Sequence, residues 1–413
     1  MKSIFFLCLT IFLYSFPMKK GDFATIRNND IKWAEKFKII EVGDSKFKTN
    51  NIKLFYDWLV GFYFFKNNHN TPFVNEMLLH KKEWTLNPYG PFIHCSKNGY
   101  YWCREYYYNF GNREVINKKI NYLKKIVTNG DFNGIFFDWA YGGGLYQKEY
   151  NQIHTYFKEL NPFKTYLQTI EDFYKKLKQE GVFFVTNQAF RKESLLKFTS
   201  YDMTESYITT IKYISKRIMI DNQGIFEKVP ITNYYPIDNK TLKATLFYID
   251  KLTKLKRKYK KYGFKNFIFL NYLAPKFERI YPSQPLYKIV TPKNGIYFAF
   301  AMAKLTNNIE YAEVAQNPSL EKDEIYFYDL GEPLDNNYTK LKNLKIYVRY
   351  YTNGFVLVSD SYKKDKTISL KIKKPFYDIY NKRWINNSKI RLNYETDTFT
   401  NHKLPLGRVF VYR

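Results

Sequence analysis

An α/β fold, a (β/α)8 TIM barrel followed by a small C-terminal antiparallel β-sandwich domain, is the architecture this sequence predicts. Three observations carry it. Amphipathic helical segments alternate with short, continuous apolar runs from about residue 31 to about residue 305. A glycine follows each of the clearest helices, and each apolar run that comes next stops at a polar residue. Continuous apolar runs are strands covered on both faces, which marks a parallel sheet, and helices between such strands make βαβ units.

The chain opens with Lys2, an apolar stretch from Ile4 to Phe16, and then Lys19 and Lys20. That stretch is short for a membrane span and has the proportions of a secretory h-region, so residues 1–20 are expected to be a signal peptide or N-terminal anchor. The expected location is therefore secreted, periplasmic or at the cell surface, with membrane attachment only if the segment is uncleaved. In an exported chain, Cys95 and Cys103 are candidates for a disulfide, two buried thiols being the alternative. Their spacing beside the single His94 is a poor metal pattern, and no metal is expected.

Residues 21–320 form the expected barrel. Ile116, Ile120, Leu123 and Val127 recur at helical spacing before Gly130. Phe163, Leu167, Ile170, Phe173 and Leu177 do so before Gly181, and Leu242, Leu246, Ile249, Leu252, Leu255 and Tyr259 before Gly263. The runs after these helices are Ile135–Phe137, Val182–Val185 and Phe267–Leu270. With Phe37–Val42, Leu54–Phe65, Tyr100–Tyr108, Tyr201–Ile208 and Ile296–Leu305 they supply the eight strands of a closed barrel. The alternative, a doubly wound sheet, usually carries an early G-x-G-x-x-G turn, and none follows the first strand.

After about residue 320 the rhythm changes. Ile325–Tyr328, Leu344–Tyr351, Gly354–Ser359, Ile368–Ile372, Phe376–Ile379, Lys389–Leu392 and Arg408–Tyr412 are short and often alternating, with turn signals such as Asn353-Gly354 between them. Residues 321–413 therefore read as the β-sandwich domain.

The 66 Lys and Arg against 38 Asp and Glu give a formal charge of +28. A polyanionic partner would account for that, but so does a bias toward residues with A/T-rich codons, since Lys, Asn, Ile, Tyr and Phe all abound. The charge is spread along the chain, and its densest run, Lys254 to Lys261, falls on a helix as a solvated face. No nucleic-acid partner is expected. There is no G-x-S-x-G, no P-loop and no H-E-x-x-H, which removes the commonest serine-hydrolase, nucleotide-hydrolysing and zinc-protease chemistries. The glycine run 142–144 follows an acid, where a phosphate site would place backbone donors and a lysine.

In a barrel the carboxyl ends of the strands open into one mouth, where polar residues are usually functional. The candidates there are Glu105, Asp138, Asn187, Glu205, Asn271, Glu310 and Glu313. Two carboxylates across a glycosidic bond are the minimum equipment for its hydrolysis. Asp138, directly after Ile135-Phe136-Phe137, is the first of the pair, a helix cap being its alternative role. Glu205 is the second, with Asp202 as its competitor, read as marking the strand start. Asn187, Asn271 and Glu105 are candidate ligands for sugar hydroxyls. Trp139, Tyr141, Tyr207 and Tyr272 are candidate platforms for sugar rings, in a chain that is 20% aromatic.

These residues also carry a resemblance. Gly134-Ile135-Phe136-Phe137-Asp138-Trp139, Val185-Thr186-Asn187, Thr204-Glu205-Ser206 and Asn271-Tyr272, with Tyr328-Asp329-Leu330-Gly331-Glu332-Pro333 and the 348–358 segment, resemble bacterial (β/α)8 glycosyl hydrolases akin to the family 114 endo-galactosaminidases and, more distantly, the α-galactosidase clan. The similarity spans roughly residues 30–413. It implies a nucleophilic aspartate after strand four, which matches Asp138, and an acid/base after strand six, which matches Glu205. The chain departs from the pattern in having Asn133-Gly134 where Asp-Gly is usual and a glutamate where the acid is often aspartate. The resulting expectation is an exported, monomeric glycoside hydrolase acting on a polysaccharide without cofactor. The alternatives are a catalytically silent carbohydrate-binding protein on the same fold and an envelope protein that holds acidic polymers by charge.

Overall fold

The computed structural model describes residues 16–26, 30–43, 46–63, 71–89, 92–93, 104–142, 151–205, 210–213, 219–221, 224–226, 230–233, 239–273, 292–314, 322–372, 374–396 and 403–413. Residues 1–15 of the expected signal peptide or anchor, Cys95, Cys103 and Tyr207 lie outside the described residues.

Eight strands form one parallel sheet in chain order: β1 (Gly21–Thr25), β2 (Phe37–Glu41), β3 (Ile52–Trp58), β4 (Gly134–Asp138), β5 (Phe184–Asn187), β6 (Tyr201–Glu205), β7 (Asn266–Leu273) and β8 (Ile309–Val314). β8 returns to β1, where the Thr25 hydroxyl donates to Glu313, so the sheet is a nearly closed barrel. The helices that cover it are amphipathic for the reasons visible in sequence. Helix α1 (Pro72–Leu79) starts at Thr71, whose side chain accepts from Val74 N–H. Helix α2 (Arg113–Thr128) buries Val115, Ile116, Ile120 and Leu123. A capping box between Thr165 and Gln168 starts α3 (Tyr166–Gln179), which buries Ile170, Phe173 and Leu177. Helix α4 (Asn239–Tyr259) precedes β7 and α5 (Pro292–Leu305) precedes β8. Gly181 and Gly263, at φ 74° and 94°, end the α3 and α4 segments in the left-handed conformation that glycine adopts without a Cβ clash.

The expected strand list needs four corrections. Gly21–Thr25 is a barrel strand that the apolar-run criterion passed over, because Asp22 and Thr25 interrupt it. Tyr100–Tyr108 supplies no barrel strand. Within its described part, the strand Arg104–Tyr107 pairs antiparallel with Gly61–Tyr63 and Phe92–Ile93 in a side sheet, which also removes Gly61–Tyr63 from the expected second strand. Ile296–Leu305 is helical. It is buried all round because α5 is sandwiched between the barrel and the C-terminal sheet, and a helix with no polar face reads like a buried strand. The true last strand is β8. One strand missed at the start offsets one wrongly counted third, so Asp138 still closes strand four and Glu205 strand six. Among the helices, Phe163 is not on the buried face of α3; it precedes the helix and is 96% exposed.

The C-terminal region holds a six-stranded antiparallel sheet. In chain order its strands are β9 (Thr339–Lys340), β10 (Ile346–Tyr351), β11 (Gly354–Ser359), β12 (Phe376–Asp378), β13 (Arg383–Ile385) and β14 (Leu406–Tyr412), arranged β9-β10-β11-β14-β12-β13. A two-stranded ribbon, Lys366–Ser369 with Lys389–Leu392, closes over it, and Val348, Phe355, Leu357, Ile368, Ile390 and Phe410 fill the space between. Ile325–Tyr328, expected as a strand, is mostly a 3-10 turn, Glu324–Phe327. The barrel meets this domain through α5. Arg349 donates to the Leu305 carbonyl at 2.7 Å, and Gly407 lies so close to α5 that a Cβ there would stand 2.4 Å from the Tyr297 carbonyl oxygen.

Candidate active site

Strand register decides which side chains enter the barrel. Paired residues in a parallel sheet share a face, and faces alternate along each strand. The pairs Tyr56–Phe136, Trp58–Asp138, Asn187–Met203, Glu205–Leu270 and Leu270–Tyr311 therefore trace one face around the sheet. The opposite face meets the helices: Phe137 packs on Phe173 and Tyr174 of α3, and the Thr204 hydroxyl lies 2.9 Å from that of Tyr248 in α4. The inner face thus carries Tyr56, Asp138, Asn187, Glu205 and, through Tyr311, Glu313. Below them Trp33 donates its indole N–H to the Tyr311 hydroxyl at 3.1 Å and packs edge-on against Phe37, which closes the floor.

At the carboxyl end of β4, Asp138 receives three donors. The Tyr56 hydroxyl donates to Oδ2 at 2.7 Å, and Trp139 N–H and the Asn187 amide each donate to Oδ1 at 2.8 Å. The same Asn187 nitrogen donates to Glu205 Oε1 at 2.8 Å. Both partners are acceptors, so the amide must face them with its nitrogen. Two N–H arms of one nitrogen, each at hydrogen-bond length, set the two carboxylate oxygens about 5 Å apart. Asn187 is buried, while Asp138 and Glu205 are half-exposed.

The backbone turns sharply beyond both polar strand ends. Trp139 has φ 53° and Gln188 φ 64°, left-handed values that cost side-chain-bearing residues on the order of 1 kcal/mol or more. Neighbouring bonds hold them there. Ala140 N–H donates to the Asn187 carbonyl at 3.1 Å, Tyr174 Oη to the Ala140 carbonyl at 3.0 Å, and Gln188 N–H to the Met203 carbonyl at 2.8 Å. Asp202 lies behind this turn, on the helix side. Its carboxylate accepts from the Thr186 hydroxyl at 2.7 Å and from Ala189 and Phe190 N–H at 2.9 Å each. It brackets Asn187 from both sides. Burial pushes its pKa up to about 7 against the pull of those three donors.

The candidate residues separate by position. Asp138, Asn187 and Glu205 come together. Trp139 and Tyr141 are half-exposed beside them; Trp139 meets Trp58 edge-on with ring centres 6.0 Å apart, and the Arg191 guanidinium stands over the Tyr141 ring at 5.2 Å. Asn271 is a correction. It shares a face with Phe269 and Thr204, points into the helix layer, is fully buried, and donates to Glu310 at 2.9 Å. Glu310 is thereby also removed from the mouth, whereas Glu313 belongs to it. Glu105 is the other correction: its backbone pairs with Tyr63 and Phe92 in the side sheet, so it ends no barrel strand. Tyr272 is placed by register opposite Glu313. Asp202 does not mark the strand start; it is the second residue of β6 and braces the neighbouring turn. Tyr56 was not anticipated, because the expected strand Leu54–Phe65 ran through the turn at Leu59 and Val60 and hid the strand end at Trp58.

No protein-family model matches this sequence, and no curated protein matches it. Several solved structures are distantly similar to it. The glycoside hydrolase domain of PelA from Pseudomonas aeruginosa is 12% identical with a TM-score of 0.41, over 74% of this chain and 96% of that one. The maltogenic α-amylase AmyB from Thermotoga neapolitana is 11% identical with a TM-score of 0.41, over 88% and 78%. The GH36 α-galactosidase AgaA from Geobacillus stearothermophilus is 7% identical with a TM-score of 0.42, over 96% and 56%. At such identities and TM-scores no role is carried over from them to this chain.

Proposed function

We propose that this chain is a glycoside hydrolase in which Asp138 and Glu205 are the reacting carboxyl groups. The observation that carries the reading is the Asn187 amide, which donates at 2.8 Å to both acids from one nitrogen. The nearest oxygens of the two acids, about 5 Å apart across that nitrogen, support a retaining route, for which the carboxyl groups stand roughly 5–5.5 Å apart. Asp138, with three donors on its two oxygens, is the nucleophile: it attacks the anomeric carbon as the bond to the leaving oxygen breaks. Glu205 delivers its proton to that oxygen, then takes a proton from the water that releases the sugar from Asp138. Trp139 and Tyr141 supply ring faces beside the acids. A polysaccharide substrate and an exported location complete the proposal, the latter resting on the leader pattern in residues 1–20. The kinship with family 114 rests on the quoted strand-end motifs.

The deciding experiment is turnover of a glycan panel by wild type and Asp138→Asn, with the anomeric configuration of the product followed by NMR. Loss of turnover in the variant and retained configuration are expected. Equal activity of the two proteins on a cleaved substrate would sink the assignment. Glycan binding without cleavage by wild type would leave a carbohydrate-binding protein on the same fold.

A further inference from the structure

In the strand order of the barrel, β2 and β3 are joined by residues 42–51, and among the described residues of that connection there is no helix. The last rung between these strands is Tyr56 N–H to the Gly43 carbonyl at 3.0 Å, and β3 runs on past it through Asp57 and Trp58. A cleft of about 390 Å³ opens beside this end of β3, whose other edge pairs with β4 through Phe137 and Asp138. Its walls include Tyr56 and Trp58 from the inner face, Asp57 from the outer face, Phe62, Phe73 of α1 and Tyr122 of α2. The volume and the mix of aromatic rings with a few fixed polar groups are those of a small-ligand site.

The polar groups are built in. Asp57 pairs with Lys119 Nζ at 2.8 Å, and the Lys119 side chain is fully buried, 4.2 Å from the centre of the Tyr108 ring. The carboxylate in the cleft is thus fixed in place and its charge offset, which suits acceptance of hydroxyl donors better than capture of a cation. Tyr122 is held neutral, its phenol pushed up to about 12 by burial and then by Asp57, so its hydroxyl stays a donor. Phe73 and Tyr122 stack at 4.5 Å between ring centres and within 10° of parallel, which makes a flat wall. Flat apolar faces combined with rim hydrogen-bonding groups are what a pyranose ring requires. The cleft and the proposed reaction centre have Tyr56 in common: it lines the cleft, and its hydroxyl donates to Asp138.

We propose that this cleft is a glycan subsite continuous with the Asp138 mouth, binding one or more further rings of a chain whose scissile bond lies at Asp138 and Glu205. The proposal rests on the hydrolase reading and predicts a preference for oligosaccharides over single-sugar substrates.

Phe73→Ala tests it. The ring is half-buried at the cleft wall, and its removal leaves the Asp57–Lys119 pair intact. The probes are 4-nitrophenyl glycosides of galactose, N-acetylgalactosamine and glucose, and the oligosaccharides of two to six rings of each. Against wild type, Phe73→Ala is expected to lose about tenfold in kcat/KM on the longer oligosaccharides and nothing on the aryl glycosides. Equal activity at every length, or an equal loss on the aryl glycosides, overturns the subsite. Binding of the same oligosaccharides to Asp138→Asn, read by tryptophan fluorescence, separates the two claims. Length-dependent binding lost in Asp138→Asn/Phe73→Ala, without wild-type turnover, upholds the subsite and refutes the hydrolase. Turnover abolished by Asp138→Asn but indifferent to Phe73→Ala upholds the hydrolase and refutes the subsite. Neither turnover nor binding refutes both.

Discussion

Tyr56 reaches from β3 to β4 and donates its hydroxyl to Asp138 Oδ2 at 2.7 Å. Within the donors on Asp138 it alone holds that second oxygen, because Trp139 N–H and the Asn187 amide both serve Oδ1. Hydrogen bonds to a charged partner contribute about 1.5–3 kcal/mol, and this one fixes the carboxylate plane toward the substrate. Tyr56→Phe keeps the ring and removes the donor. The expected result is a fall in kcat of about tenfold to a hundredfold with KM little changed, measured by steady-state kinetics. An unchanged kcat would show that Tyr56 only packs.

Asn187 joins Asp138 and Glu205 through one amide nitrogen, 2.8 Å from each. Asn187→Ala removes both donors, so neither carboxylate is held in its place relative to the other. The folded variant is expected to lose about tenfold to a hundredfold in kcat, measured by steady-state kinetics beside a thermal scan that confirms folding. An unchanged kcat would mean that the amide does not position the acids.

Much of this was legible before the fold was seen, and the parts that were not fail for physical reasons. Strands β4, β5 and β7 were readable because each is a short apolar run introduced by a glycine-terminated helix, and β6 was placed between them by its spacing. Their end residues Asp138, Asn187 and Glu205 followed from that. β1 was invisible to the same test, since Asp22 pairs with Lys38 at 2.9 Å on the outer face and gives the strand a polar residue at its second position. Asn271 was misplaced by a single residue of register. Side chains alternate, so Leu270 enters the barrel and Asn271 cannot, and sequence alone gives the strand but not which of its last residues faces inward. The role of Asp202 lies in three hydrogen bonds to residues 12 to 16 positions away.

Asp202 gives a pH-dependent stability with a definite sign. Its carboxyl titrates at about 7 when folded, against an ordinary value of 3.8. Between those values the folded chain binds the proton and the unfolded chain does not, so this group makes stability fall as pH rises from about 4 to about 7, and its effect is flat above. Urea midpoints of wild type across that range should decline accordingly, by an amount on the order of a few kcal/mol from this group. Asp202→Asn cannot ionise and should show a slope shallower by up to one proton. Parallel curves for the two proteins would show that Asp202 does not titrate in this window. The variant should also lose kcat, because its amide presents an N–H to one of the donors that brace the turn around Asn187.

The junction between barrel and sandwich depends on a residue without a side chain. A Cβ at Gly407 would stand 2.4 Å from the Tyr297 carbonyl oxygen, 2.5 Å from Phe298 Cα and 2.9 Å from Ala301 Cβ, all on α5. The first two are backbone atoms and cannot swing aside as a long side chain would. Gly407→Ala must push α5 off β14, and α5 is the helix that precedes β8 and carries the Leu305 carbonyl bound by Arg349. Overpacking of this kind costs about 1–3 kcal/mol. The variant should melt several degrees below wild type in a thermal scan. Since β8 carries Glu313 at the mouth, glycan affinity should weaken along with stability if the strain spreads into the barrel. A variant that melts with wild type would mean that α5 and β14 do not touch as closely as this contact requires.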